Sequence, residues 1–354
     1  MAVLKTLTVS SPPHLYGTDT VRKRMRDVLI ALAPACIIGI YRFGFRAFLI
    51  IMVSVLSALL AEYLFRKAAG KPTTINDFSA AITGLLLALN LSADAPVWLP
   101  VIGCVFAIVA VKQLFGGLGS NFMNPALAAR AFLIISFPVH MTRWVFPASA
   151  PAPVDGITSA TYISESIDAV TGATYLNVLK GAPSFVPRAA DYLAQLTGNT
   201  GGCIGEVSAV AVLLGGAYLI ARRVINWRIP VFYIGSFALS AFIFGRNGFF
   251  SGHILFEVLS GGLLLGAFFM ATDYATSPIT PNGKIIMGIG CGFLTVVIRF
   301  FSGYPEGVMF AILIMNVLVP TIDKYVKPRV YGKSAGPIAR FRGKRRADTE
   351  GLKA

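Results

Sequence analysis

Charge is scarce in this chain. Only 13% of its 354 residues are Asp, Glu, Lys or Arg, where soluble domains carry about 25%. With 55% hydrophobic residues and a mean hydropathy of +0.71, that shortage excludes an ordinary soluble domain and indicates a polytopic membrane protein. Cysteine is scarce too. Cys36, Cys104, Cys203 and Cys291 lie far apart, in or beside apolar runs, with no CxxC pair. This pattern gives no support to a zinc or iron–sulfur centre and suits small buried hydrophobes. The three histidines, His14, His140 and His253, are scattered, so nothing resembles a haem or zinc site. No dinucleotide fingerprint occurs, and no N-terminal signal pattern precedes the first apolar run. Acids are few against bases, giving a net charge of +15. The bases fall in short loops and in the tail, where membrane topology accounts for them, and no nucleic-acid partner is expected.

What is present is a succession of apolar runs. A basic segment, Arg22-Lys23-Arg24-Met25-Arg26, precedes the first, and the positive-inside rule keeps it cytoplasmic. The runs cover residues 28–43, 47–64, 78–91, 97–115 and 126–137, then 204–221, 230–244, 254–271, 285–301 and 308–319. The third is shorter than the ~20 residues of a full span and ends in Asn90-Leu-Ser-Ala-Asp94. Between the fourth and fifth, Gly116-Gly-Leu-Gly-Ser-Asn121-Phe-Met-Asn124-Pro125 predicts a broken helix or re-entrant element, since irregular backbone at membrane depth must be covered by protein or line a cavity. Five crossings from a cytoplasmic N-terminus place residues 138–202 outside. The tail, rich in Lys and Arg from Lys324 onward, returns to the cytoplasm.

Gly84 to Asp94 and Gly262 to Asp273 echo one another, each a short Leu-rich helix ending in a polar break. Separation by five crossings would invert the second copy, as in transporter folds with sites at broken helices. The expected fold is therefore all-α, with about ten transmembrane helices in two inverted five-helix repeats containing broken or half helices, plus a long external loop. The divisions are 1–27, a cytoplasmic segment; 28–137, the first repeat; 138–202, the external loop; 203–323, the second repeat; and 324–354, a basic cytoplasmic tail.

Within the external loop, Asp168-Ala-Val-Thr171-Gly172-Ala173-Thr174 presents two hydroxyls three residues apart with only Gly and Ala between them. No neighbouring His or Lys would activate either hydroxyl, so the stretch suits an acceptor of covalent modification better than a nucleophile; alone, it reads more readily as an ordinary exposed loop. Asn121 and Asn124 either meet a ligand's polar edge or cap exposed backbone at the break. Glu62, Glu206, Glu257, Asp273 and Asp323 lie in or at the ends of apolar runs. Carboxylates there face a cavity or a partner, which makes Asp273, Glu62 and Glu257 candidates for a cation path, Asp273 foremost. Lys112 and Arg299 either balance these acids or bind lipid headgroups, and Arg130 is expected to face polar protein surface, with contact to a cofactor as the alternative.

Several blocks in order resemble a known family. They are Ser57-Ala-Leu-Leu-Ala-Glu62, Lys112-Gln-Leu-Phe-Gly-Gly-Leu-Gly119 with Asn124-Pro-Ala126, Ile135-Ser-Phe-Pro-Val139, Leu265-Gly-Ala-Phe-Phe-Met-Ala-Thr-Asp273, Gly303-Tyr-Pro-Glu-Gly307, Pro320-Thr-Ile-Asp323 and Lys327-Pro-Arg-Val-Tyr-Gly332. The family comprises the D subunit of the Rnf (Rsx) ion-translocating ferredoxin:NAD oxidoreductase complex and the B subunit of the sodium-pumping NADH:quinone reductase. The resemblance implies FMN joined by a phosphoester to Thr174, installed by a flavin transferase that recognises Asp168 with Thr171, Gly172 and Ala173; Thr171 stands where the family's motif usually has Ser. It implies a second, non-covalent riboflavin near Asn121 and Asn124. It further implies the A, B, C, E and G subunits of Rnf as partners, Na+ or H+ as the ion moved, a bacterial cytoplasmic membrane, and a periplasmic flavin loop. The NAD and ferredoxin sites are expected on other subunits. Lys180 and Arg188 are candidate phosphate partners. A secondary transporter or channel is the competing reading, resting on the echo and the intramembrane acids, and it has no use for a flavin anchor.

Overall fold

A computed structural model of the chain describes residues 20–147, 169–171, 174–181, 186–206, 208–245, 249–250, 252–303 and 306–327. Asp168, Gly172 and Ala173 lie outside the described residues. Three helices are long and apolar enough to cross a membrane: α2 (Phe45–Ala68), α13 (Pro281–Phe301) and α14 (Val308–Tyr325). α1 (Val21–Phe43) is as long, but its first turns carry the Arg and Lys cluster.

Shorter apolar helices fill the interior. They are α3 (Ser79–Leu89), α4 (Trp98–Val105), α5 (Pro125–Ser136), α9 (Ala209–Ala221) and α10 (Arg228–Phe244). α4 continues as a π-helix over Phe106–Gln113. The run at 254–271 is not one helix. It splits into α11 (Ile254–Leu259), α12 (Leu263–Leu265) and a π-helical turn, Gly266–Met270. The reason is local: Gly261 between them has φ +71°, and a Cβ there would sit 2.6 Å from Leu176 Cδ1. The expected external loop contributes α6 (Pro138–Met141), α7 (Tyr175–Gly181) and α8 (Ala189–Thr197). It also holds two short strands, β1 (Val145–Pro147) and β2 (Ala169–Thr171), paired antiparallel with Val145 opposite Thr171. The strands are the one departure from an all-α chain among the described residues.

Side-chain contacts give the molecule two polar ends. At the end where α1 begins, Arg24 donates to Arg223 O, Asp27 pairs with Arg222 at 3.4 Å, and Lys112 meets Glu62 and Ser79. At the opposite end, Arg42 donates to Thr197 O and Arg46 pairs with Asp94 at 2.5 Å. α2 turns a face of Leu56, Leu60 and Leu64 outward, as a surface against hydrocarbon requires. α3 is buried at every residue, which suits a helix apolar all round.

α3 and the α12 segment run toward each other from opposite ends and meet: Asn90 Nδ2 lies 3.8 Å from Met270 Sδ. Helices that stop inside a protein leave carbonyls without intrahelical partners. At α3 these are met by the turn before α9, where Gly205 N–H donates to Leu89 O (2.8 Å) and Ile204 N–H to Leu91 O (3.0 Å). The sixth apolar run therefore begins as a turn, and its helix starts only at Ala209. Gly205 is required for the approach, because a Cβ would stand 2.6 Å from Leu89 Cβ. We expect Gly205→Val to destabilise the protein by about 1–3 kcal/mol through overpacking, measured as a lower midpoint of unfolding in mixed detergent.

Candidate functional site

The two places singled out in the sequence fall at opposite ends, on either side of the junction of broken helices. Near the start of α1, Asn121, Asn124 and Asp273 come together in one cleft, between the Gly116–Ser120 turn and the end of the Gly266–Met270 segment. Its walls include the rings of Phe268, Phe269 and Tyr274, with Lys112 and Thr83 at polar positions. Asn121 donates to Met123 O at 3.2 Å and also reaches the Asp273 carboxylate. Asn124 is committed structurally. Its Oδ1 caps α5 by accepting from Ala126 and Leu127 N–H, while Nδ2 donates to Met270 O at 3.2 Å. Asn316 ties the same corner, bridging Thr276 O and Asn124 N–H. Removal of the cap by Asn124→Ala should cost about 0.5–2 kcal/mol, read as reduced thermal stability. A flat ligand with an apolar face and polar edges suits this cleft, with Asn121 and Asp273 offering groups at its rim.

The other acids have partners. Glu62 is buried at the first end, 3.1 Å from Lys112 Nζ, and accepts from Gln113 (2.8 Å) and Thr74 (2.7 Å). Glu257 is buried at the opposite end against Arg299 at 3.3 Å, whose guanidinium lies over the Phe237 ring. These are compensated pairs, and of the two roles open to Lys112 and Arg299 from the sequence they take that of counter-charge. Asp323 accepts from Ile279 N–H. Asp273 alone of the three cation-path candidates has no basic partner among its described contacts.

At the opposite end, Thr174 immediately precedes α7 and is only 8% exposed. It lines a small cavity with Gln195, Thr200, Glu206, Ser260 and Glu306. Beside it lies a buried charged cluster. Arg130, on α5, donates to Glu306 (2.5 Å), Asn90 (2.9 Å) and Cys203 Sγ (3.2 Å). Arg130 thus meets polar protein groups, and does so in the interior. It is 3% exposed and joins the end of α3 to the segments before α9 and α14. Glu306, carried in the Gly303–Gly307 block, has no periodicity or motif of its own to mark it. Gln195 was likewise unmarked.

An ester-linked flavin at Thr174 is testable against this geometry. The cavity measures about 20 Å³, room for a water-sized species and not for a tricyclic ring. Two carboxylates on its floor oppose a phosphate. The residues would hold such an ester only with its phosphate and ring outside this cavity. Lys180, which donates to Ser302 O, and Arg188, which pairs with Asp191 at 3.6 Å, are both engaged elsewhere. Thr171 lies in β2, which the ladder to β1 anchors.

Comparison with known proteins agrees with the blocks quoted above. The profile of the NQR2, RnfD, RnfE family matches residues 8–332. The D subunit of the Na(+)-translocating ferredoxin:NAD(+) oxidoreductase complex of Acetobacterium woodii is 46% identical over 327 residues, covering 92% of this chain and 95% of its own. The proton-translocating counterpart of Clostridium ljungdahlii is 41% identical over 332 residues, 92% and 96% of the two chains. The D subunit of the ion-translocating oxidoreductase complex of Halorhodospira halophila is 39% identical over 341 residues, 91% and 94%. The chain is a multi-pass membrane protein and belongs to the NQR2, RnfD, RnfE family.

Proposed function

We propose that this chain is the flavin-bearing electron-transfer subunit of a bacterial complex coupling ferredoxin and NAD redox chemistry to Na+ or H+ translocation. Thr174 is its attachment residue, bearing FMN through a phosphoester. The observation carrying this reading is the position of Thr174, held at the start of α7 over a buried polar cluster at the end remote from the start of α1. The ester forms with loss of the Thr174 hydroxyl proton and of a leaving group on phosphorus, brought by the flavin transferase's donor. Bound flavin supplies reversible electron transfer. The chain's part is to fix the attachment point, keep the phosphate off the carboxylates of Glu206 and Glu306, and hold α7 through Tyr175, whose hydroxyl donates to Asp191.

In this reading both termini are cytoplasmic, and residues 138–202 form a periplasmic flavin loop. About ten crossings form two inverted five-helix repeats, 28–137 and 203–323. The buried pairs support that symmetry. Each repeat's fourth helix ends in a buried base, Lys112 or Arg299, that reaches a Ser at the third helix, Ser79 or Ser260. One cluster lies at each end, as an inverted relation requires. The cleft at Asn121 and Asp273 is assigned to a non-covalent riboflavin, and Asp273 to the cation path. NAD and ferredoxin bind among the A, B, C, E and G subunits of Rnf.

The test is fluorescence on a denaturing gel. Protein from cells possessing the flavin transferase should give a fluorescent band that survives denaturation, and protein from cells lacking it should not. No band from transferase-bearing cells would overturn the assignment.

A further inference from the structure

The cavity beside Thr174 contains two buried acceptors with no donor among the described residues, Gln195 Oε1 and Glu206 Oε2. Gln195 is 4% exposed, and its amide orientation is fixed by its neighbours. Its Nε2 donates to Ser260 Oγ at 2.6 Å, and that hydroxyl donates onward to Phe256 O at 2.6 Å. The carbonyl oxygen is therefore the atom left over. Glu206 Oε1 accepts from Cys203 N–H at 2.8 Å, leaving Oε2 over. Buried acceptors normally have partners, and two orphans facing one small cavity point to an electropositive occupant.

The charges agree. Carboxylate oxygens of Glu206 and Glu306 and the Cys203 sulfur lie within 4.8 Å of one another. Arg130 supplies one positive charge against their two negative ones. Of the neighbouring bases, Arg299 is paired with Glu257 and Arg188 with Asp191, while Lys180 donates to the Ser302 carbonyl. With both carboxyls ionised, the one base paired within the cluster does not balance them, in a place where uncompensated charge is costly. We infer that the cavity bounded by Gln195, Glu206 and Glu306 is a binding site for a single monovalent alkali cation, held by oxygen atoms alone.

Size, ligand chemistry and charge each narrow the occupant. About 20 Å³ admits one water-sized species, since about 10–15 Å³ suffices for a water; a flavin ring or lipid headgroup is too large. The sulfur of Cys203 is not a metal ligand, because it accepts from Arg130 and donates to Asn90 O at 3.3 Å. Without a thiolate, a soft transition metal loses its reason to bind. The remaining donors are carboxylate, amide and hydroxyl oxygens, including Thr200, which suit a hard cation. A divalent ion would leave one positive charge in excess; Na+ leaves none.

The site does not depend on the flavin, and the test separates the two. Intact complex in lipid nanodiscs is titrated with radioactive sodium chloride against a choline chloride background. Saturable Na+ binding is expected, weakened about tenfold or more by Glu206→Gln, a change of about 1.4 kcal/mol. Gln195→Leu should act similarly, while Gln195→Glu, which keeps an oxygen, should retain the ion. Should Gln195→Leu fail to assemble, the other two variants still decide. Complex made without the flavin transferase should bind Na+ as the wild type does. Identical Na+ binding in wild type and Glu206→Gln would overturn the site. So would an infrared protonated-carboxyl band in the wild type that ignores Na+ and vanishes in Glu206→Gln, for then a proton supplies the missing charge.

Discussion

Thr174→Ala is expected to abolish covalent flavin while leaving the helical fold intact. Thr174 belongs to none of the helices and donates no part of the core formed by α3, α9 and α10. The change should show as complete loss of gel fluorescence, with unchanged far-ultraviolet circular dichroism and normal assembly. Thr174→Ser keeps a hydroxyl and should retain part of the signal. Thr171→Ala is the control that separates attachment from recognition: Thr171 lies in β2, opposite Val145, and its replacement should reduce the yield of flavinylation without moving the attachment point. Fluorescence persisting in Thr174→Ala would assign the ester to another hydroxyl.

The second large effect is expected at Arg130. Its guanidinium is buried and bonded to Glu306, Asn90 and Cys203, so Arg130→Met strands two carboxylates together. Breaking a buried pair by removing one partner costs about 3–5 kcal/mol. Because these contacts join the end of α3 to the segments leading into α9 and α14, the loss should appear as failure to accumulate or as a greatly lowered unfolding midpoint. Glu306→Gln retains a hydrogen-bond acceptor for Arg130 and should be milder. The double change Arg130→Met with Glu306→Met should recover part of the loss, since an apolar pair leaves no charge stranded. Additive losses in the double variant would contradict the pairing.

These two residues differ in how far the sequence exposed them. Thr174 sits in a local pattern of the sequence, two hydroxyls around Gly-Ala, which a reading of the chain alone can pick out. The pairing of Arg130 with Glu306 crosses 176 residues, and nothing local to either residue announces it. Apolar periodicity located most of the helices, because burial imposes it along a chain. It missed the break at Ser260–Gly261, where a positive φ at Gly261 and the side chain of Leu176 decide the matter. It also extended the sixth helix too far toward Ile204, where the backbone instead caps α3. The Asn residues after the Gly-rich turn were legible as polar groups at a break. Their division of labour was not: Asn124 is spent on capping α5 and holding Met270, while Asn121 faces Asp273.

The central claim is a covalent group on the segment before α7, and intact mass spectrometry addresses it most directly. For the mature chain purified from its transferase-bearing host, the account predicts the polypeptide mass plus one esterified FMN, with the added mass confined to the peptide containing Thr174. A chain weighing only what its amino acids weigh, or an adduct on a different peptide, would contradict it.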